Sequence, residues 1–205
     1  MPYRIVTPAT SYPVLLAEAK EWCRIDSIDT SQDATLNLLI AMATAGAEDI
    51  TGRAFEIRTM ELSLTGFCSE IRLPCPPLVA IDSIVYTDIN GVNQTVDAAT
   101  YEVDTVSEPG RVRPVWGQHW PTVGYVLNPV RITYRAGYSP IGSPVDPTSK
   151  AHIPPEVRVW MNARLSTMYS NREHFIVDRG ISSVELPRDF VDGVLDGLII
   201  GTRFF

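Results

Sequence analysis

The residues in this chain best suited to chemistry are three histidines, His119, His152 and His174, and they are far apart in sequence. None stands in His-x-x-x-His or Cys-His spacing, the arrangement that brings two ligands onto one metal. Each reads as a solvated or locally bonded loop histidine rather than a ligand or general base. Asp26, Asp29 and Asp33 crowd one stretch and raise the question of calcium. An EF-hand loop needs ligands at alternate positions and a glycine at its turn; here the spacing is wider and the glycine is missing. Turn and cap roles suit these aspartates better. Cys23, Cys68 and Cys75 are odd in number and form no Cys-x-x-Cys, so neither a disulfide framework nor a zinc knuckle is indicated. Phosphate-cradling glycine loops and the Gly-x-Ser-x-Gly elbow are absent. A hydrolase would have to use Asp104 or Glu108 with His119, and no activated nucleophile or orienting partner can be named for it. The expectation is a protein without catalytic residues, metal or cofactor.

Binding is the remaining chemistry. Trp116 and Trp120, with Tyr125 nearby, have the composition of a stacking platform, so a carbohydrate- or peptide-binding β module is one alternative. The bland alternative is a tryptophan clamping a Pro-rich loop onto a sheet. The end of the chain carries a second aromatic feature, Arg203-Phe204-Phe205, behind the apolar positions Phe190, Val191, Leu195 and Leu198. These seven residues are a candidate partner interface; the alternative is that the tail folds back onto its own helix. Gly193-x-x-x-Gly197 suggests close helix packing in water, since Asp192 and Asp196 flank the glycines.

Composition narrows the class. At 205 residues and 45% apolar content the chain can bury a real core. Its net charge of −7, with 17 Lys and Arg and no basic run, argues against sequence-independent binding to nucleic acid. No apolar run is long enough for a membrane span, and the N-terminus has no apolar core of a secretory signal. A cytosol-like site of synthesis and no membrane partner are expected.

The elements that position these residues follow from periodicity. After an extended segment over residues 1–12, Leu15, Leu16, Ala19, Trp22 and Cys23 fall on one face of a first helix, with Glu18, Lys20 and Glu21 on the other. Thr30-x-x-Asp33 resembles a capping box, and the helix behind it carries the stripe Leu36, Leu39, Ile40, Ala43, Ala47, Ile50. Its small residues, Ala41 to Ala47 with Gly46, would admit a close helix neighbour, and Gly52 is placed to end it. The period then changes to two. Met60, Leu62 and Leu64 alternate with polar residues, and so do Val130, Ile132 and Tyr134. Between them, Pro74 to Pro77 must break one strand from the next, and Asn90-Gly91 predicts a hairpin with a type I′ turn. An antiparallel sheet, sandwich or small barrel is expected there. Residues 137–155 form a Pro-rich arm. Val157, Trp160, Met161, Leu165 and Met168 mark a third helix, and Pro187 opens a fourth. The expected class is α+β: a helical bundle of four main helices with an antiparallel β module inserted between helices 2 and 3.

The ordered series of short motifs resembles a family. Ala19-Lys20-x-x-x-Arg24-Ile25-Asp26, Ile50-Thr51-Gly52-Arg53 and Leu73-Pro74-x-Pro76-Pro77-Leu78 begin it. Ile81-x-Ser83-Ile84-x-Tyr86, Tyr101-x-Val103-Asp104, Arg111-x-Arg113-Pro114, and Gly117 with Trp120-Pro121 continue it. Arg135-Ala136-Gly137-Tyr138, Ile153-Pro154-Pro155 and Tyr169-x-Asn171-Arg172-Glu173 complete it. Together they resemble the gp6-like head–tail connector (adaptor, or head-completion) proteins of tailed phages, with their gp8-like relatives in prophages and gene transfer agents. The long arm and the Gly-Thr-Arg-Phe-Phe ending depart from the pattern. The resemblance implies a single connector domain over 1–205, divided into a helical pair (13–53), the β module (57–136), the arm (137–155) and C-terminal helices with the tail (156–205). It implies a virion protein made in the bacterial cytoplasm. Copies of such proteins form a ring, commonly of twelve, in the neck between head and tail. The partners implied are the portal and the stopper or other tail proteins, with DNA passing through the channel without sequence-specific binding.

Overall fold

The structure, a computed structural model, describes residues 3–139, 152–170 and 193–200. Helices and antiparallel sheets are segregated, as an α+β chain requires. Two compact units divide them. One gathers residues 3–11 and 52–139 with His152; the other gathers residues 12–51, 153–170 and 193–199.

The first unit is β. Its larger sheet has the order β1-β2-β8-β4-β5, built from β1 (Tyr3–Thr7), β2 (Arg58–Leu64), β8 (Val130–Ala136), β4 (Leu78–Thr87) and β5 (Asn93–Thr95). The smaller has the order β3-β7-β6, from β3 (Ile71–Arg72), β7 (Arg111–Pro114) and β6 (Tyr101–Asp104). Every pairing is antiparallel. The strand β8 is central, and its side chains alternate between buried and half-buried along its whole length. Val130, Ile132, Tyr134 and Ala136 face a core shared with Met60, Leu62 and Leu64 of β2. Ile71, Leu73 and Val112 bring the smaller sheet onto the same core. The Pro74–Pro77 break is therefore the place where the chain leaves one sheet and enters the other. There Cys75 sits at φ 57, and the Pro76–Pro77 peptide is cis. Gly110 lies so close to Leu78 that a Cβ would be 2.5 Å from the leucine side chain, so the hairpin before β7 needs a glycine to close onto β4.

One local expectation changes. The Asn90-Gly91 turn is not type I′, because Asn90 does not have positive φ whereas Gly91 does, at 79°. The loop is one residue longer than a two-residue hairpin: Thr87 pairs with Asn93, and the Asp88 N–H bonds the Val92 carbonyl. The Asp88 carboxylate accepts the N–H groups of Asn90 and Val92, and so favours a turn ending in a left-handed glycine. Irregularities in the β4–β8 register, at Leu78/Ala80 and Ile81/Ser83, also break the period-two burial of β4.

The second unit is helical, with α1 (Leu16–Trp22), α2 (Asp33–Thr51), α3 (Pro155–Ser170) and a 3-10 segment (Gly193–Leu198). Both α1 and the 3-10 segment contact α2 and α3, which pack on each other. Gly46 of α2 faces Trp160 of α3, where an added Cβ would lie 3.7 Å from the ring, an ordinary packing distance that does not demand glycine. The buried face of α2 is rotated from the expected stripe: Thr44 and Thr51 replace Leu39 and Ile50. Each threonine hydroxyl donates to the carbonyl four residues back, at 2.8 Å, so burial leaves no unmet hydroxyl. The first helix is shorter than expected and turned differently. Val14 and Ala19 are buried, but Leu15 and Trp22 are exposed. Lys20, expected on the outer face, is buried and pairs with Asp33 at 2.7 Å, which ties α1 to the start of α2. Helix α3 opens at Pro155, a position where the missing proline N–H costs nothing. Of the fourth helix expected from Pro187, residues 187–192 lie outside the described residues and Gly193–Leu198 form the 3-10 segment instead of an α-helix; most of the arm also lies outside the described residues.

Candidate functional site

Among the described residues, His119, His152 and the carboxylates singled out from the sequence are not brought together into a centre. Asp104 bonds the Ser107 hydroxyl, the Val106 and Ser107 N–H groups and the Arg111 guanidinium. Glu108 pairs with Arg53 at 2.6 Å. No hydrogen bond joins either carboxylate to His119 among the described residues. His152 lies at a bridge with Ser139, and His174 is outside the described residues. Asp26 and Asp29 each accept an N–H two residues ahead, from Ile28 and Ser31, while Asp33 belongs to Lys20. Among the described residues no group of His, Cys, Asp and Glu is arranged to hold a metal ion, and no helix is long and apolar enough to cross a membrane.

What the β unit does present is a charged ladder on its smaller sheet. Arg111 reaches Asp104 and Ser107 with one nitrogen and Glu70 with the other; Arg72 also holds Glu70, and Arg113 holds Glu102. Glu70, Glu102, Asp104, Arg111 and Arg113 line a shallow cavity of about 290 Å³. The Ser107 hydroxyl, then its N–H, and Arg111 hold the Asp104 carboxyl far below the usual carboxylate range. A depressed folded-state value means that the contribution is present above the unfolded value, near 3.8, and is lost as pH falls below it. Wild-type protein is therefore expected to lose stability below about pH 4 more steeply than Asp104→Asn, measured by urea denaturation at stepped pH. Equal slopes would remove Asp104 from the acid response.

The two tryptophans separate. Trp120 stacks on Phe67 with ring centroids 4.7 Å apart and planes 8° from parallel, and its indole N–H donates to the Cys68 carbonyl at 2.7 Å. It clamps its loop to the unit. Trp116 is 99% exposed. The two rings border an open groove of about 470 Å³ that Pro114, Val115 and Gln118 also line. Beyond it, Tyr125 and Leu127 are fully exposed, with Val126 half-exposed between them. Tyr125 stood with the tryptophans in the sequence reading, but Leu127 did not. The available signal was an apolar triplet between Gly124 and Asn128-Pro129 with no alternation to bury it.

Of the seven proposed interface residues, Leu195 is buried and Leu198 half-buried in the 3-10 segment, against α2 and α3. Phe190, Val191, Arg203, Phe204 and Phe205 lie outside the described residues. Among the described residues, Gly193 and Gly197 do not mediate a close approach: a Cβ on Gly197 would meet nothing within 4 Å. Val194, on the apolar stripe expected for the fourth helix, and Ile199, not singled out from the sequence, are about half exposed.

Residues 14–108, from just before α1 through β6, match the family model of phage gp6-like head-tail connector proteins. No curated protein matches the chain. Solved structures share its fold from end to end. One is a chain of the virion of a native gene transfer agent (GTA) particle, 18% identical, with a TM-score of 0.73, covering 100% of this chain and 98% of that one. A second is from the neck of an empty GTA particle computed with C6 symmetry, 19% identical, TM-score 0.71, with both chains fully covered. A third is from the neck of a native GTA particle computed with C12 symmetry, 20% identical, TM-score 0.63, again with both chains fully covered.

Proposed function

We infer that this protein, in which residues 14–108 match the gp6-like head–tail connector family, is a structural head–tail connector in the neck of a tailed phage or phage-like particle. The observation that carries the reading is that the family match and the fold likeness to GTA particles agree over the same helices and strands. The scattered titratable residues fit a role that asks for surfaces rather than catalysis. In this role the copies form a ring beneath the portal that extends the DNA channel toward the stopper and tail. The C12 symmetry of one similar neck structure supports twelve copies. A net charge of −7 suits a channel wall that lets DNA pass without holding it. No cofactor or metal takes part.

Within the connector, 1–205 acts as one domain in which residues 13–53 and 156–205 supply a four-helix bundle and 57–136 an inserted β module, with 137–155 as an arm toward neighbouring subunits. The portal-docking surface is the end of the chain. Phe190, Val191, Leu198, Arg203, Phe204 and Phe205 meet the portal, while buried Leu195 holds the segment against α2 and α3. Because Leu195 is a core residue, the clean test removes residues 202–205 alone. The truncated protein is expected to melt like the full chain but to bind purified portal at least tenfold less tightly, as loss of two aromatic anchors implies. Unchanged binding, or tails still joining capsids that carry the truncation, would sink the docking assignment. Negative-stain images of the full chain mixed with portal should show rings stacked on portal rings; portal rings left bare would count against the connector reading itself.

A further inference from the structure

We propose that the loop Tyr125–Leu127 of one copy inserts into the Trp116–Trp120 groove of the next, so that finger and groove form the head-to-tail contact of the ring. The inference rests on the ring reading and specifies its interface. The finger is anchored from both sides. Gly124 donates to the Thr87 carbonyl and Thr87 donates to the Pro129 carbonyl, each at 2.8 Å. A Cβ at Gly124 would lie 2.3 Å from the Asp88 carbonyl oxygen, so only glycine permits this approach. Asn128 takes a left-handed φ of 50° to return the chain. With its backbone already ordered, the tip would lose little conformational freedom on binding. Tyr125 and Leu127 are nevertheless fully exposed, and Ile89 and Val92 of the adjoining hairpin are exposed as well.

The chemistry of the occupant follows from what the finger lacks. Residues 121–130 contain no charged side chain, in a chain where 20% of residues are charged. Such a tip offers nothing to a phosphate, and fits a mainly apolar socket. The groove beside Trp116 is largely one: Pro114, Val115, Trp116 and Trp120 supply apolar walls, the Glu102–Arg113 ion pair closes one side with its charges matched to each other, and Ser69, Gln118 and His119 add polar atoms. Its volume of about 470 Å³ lies within the range of about 300–1,000 Å³ that binding pockets occupy. Within one copy neither half is satisfied, since Trp116 and Tyr125 are both wholly exposed. Two different unsatisfied patches on one chain are what a heterologous, ring-closing contact requires. A tyrosine and a tryptophan at its centre match the composition of binding hot spots.

The test uses the full chain. In a Cys68→Ser background, Gln118→Cys with Val126→Cys is expected to give a ladder of disulfide-linked oligomers on mild oxidation. Each single cysteine variant should give none, and a mixture of the two singles only dimers. Separately, Tyr125→Ser/Leu127→Ser and Trp116→Ser are each expected to weaken self-association about a hundredfold or more by sedimentation. Their circular dichroism and melting should be unchanged, because all three side chains are exposed. Mixing the finger variant with the groove variant should restore one contact and so yield dimers without rings. Rings that survive both variants, or a wild type that neither associates nor cross-links at millimolar concentration, overturn the pairing. Variants that still form rings but yield particles without tails would assign the finger to another neck protein and also overturn it. Wild-type chain that forms no ring even with portal is a different failure, that of the ring reading.

Discussion

Gly137→Ala is expected to lower the stability of the β unit by about 3 kcal/mol or more, a large share of the roughly 5–15 kcal/mol typical of a folded domain. Gly137 has φ of 130°, a region that side chains avoid. A Cβ there would lie 2.2 Å from the Glu56 carbonyl oxygen and 2.6 Å from the Ile57 nitrogen. Both are backbone atoms at the entrance to β2, so no side chain can move aside. Glu56 is itself buried and accepts a hydrogen bond from Ser11 at 2.7 Å, and Gly137 donates to the Pro77 carbonyl at 2.9 Å. The site joins the end of β8 to the starts of β2 and β4, and a shift there disturbs three central strands. Gly66→Ala is the control, because that glycine has no positive φ and nothing within 4 Å of a Cβ. It is expected to change stability by less than about 0.5 kcal/mol. Urea midpoints of the two variants decide the matter; equal midpoints would refute the argument.

Tyr134→Ala is expected to cost about 3–5 kcal/mol, the range for truncating a buried aromatic side chain. Tyr134 is wholly buried on the central strand β8, and its hydroxyl donates to the Pro74 carbonyl at 3.1 Å, across the proline break between the sheets. Tyr134→Phe isolates that bond and is expected to cost about 1–2 kcal/mol. The same pair yields a pH signature. Burial, and secondarily the neighbouring Cys75, pushes the Tyr134 phenol well above its ordinary value of 10.0. A raised folded-state value means that the contribution is complete below about pH 10 and is lost as pH rises beyond it. Wild type should therefore lose stability above about pH 10 faster than Tyr134→Phe. Tyr101, whose phenol burial also raises, titrates in both proteins and cancels in the difference. Parallel pH profiles would show that the phenol is not buried as described.

Much of the scaffold could be read from local pattern. The alternation of β2 and β8, the stripe of α3 through Leu165 and the left-handed glycine after α2 were all visible in residue order. Where the reading erred, a nonlocal or short polar contact decided. Lys20 looked like an outward cation because its partner, Asp33, lies in the next helix. Thr44 and Thr51 looked too polar to bury because their bonds return to their own helix. The Asp88 carboxylate changed the hairpin turn from the type that Asn-Gly suggested. The candidate surfaces were less legible still. Trp116 and Trp120 are four residues apart and chemically identical, yet one is fully exposed and the other lies under Phe67 and Cys68, residues some fifty positions earlier.

Local pattern was enough for the α+β class and for the resemblance to connector proteins. These depend on composition, period and the order of short motifs, all local properties of the chain. The tertiary structure alone decided which strands share a sheet, which side of α1 is buried and which aromatic side chains remain free. Those outcomes depend on contacts between distant residues, such as Tyr134 with Pro74 and Gly124 with Thr87. Pairing of distant segments is set by the cooperative filling of one core, and no single segment encodes it.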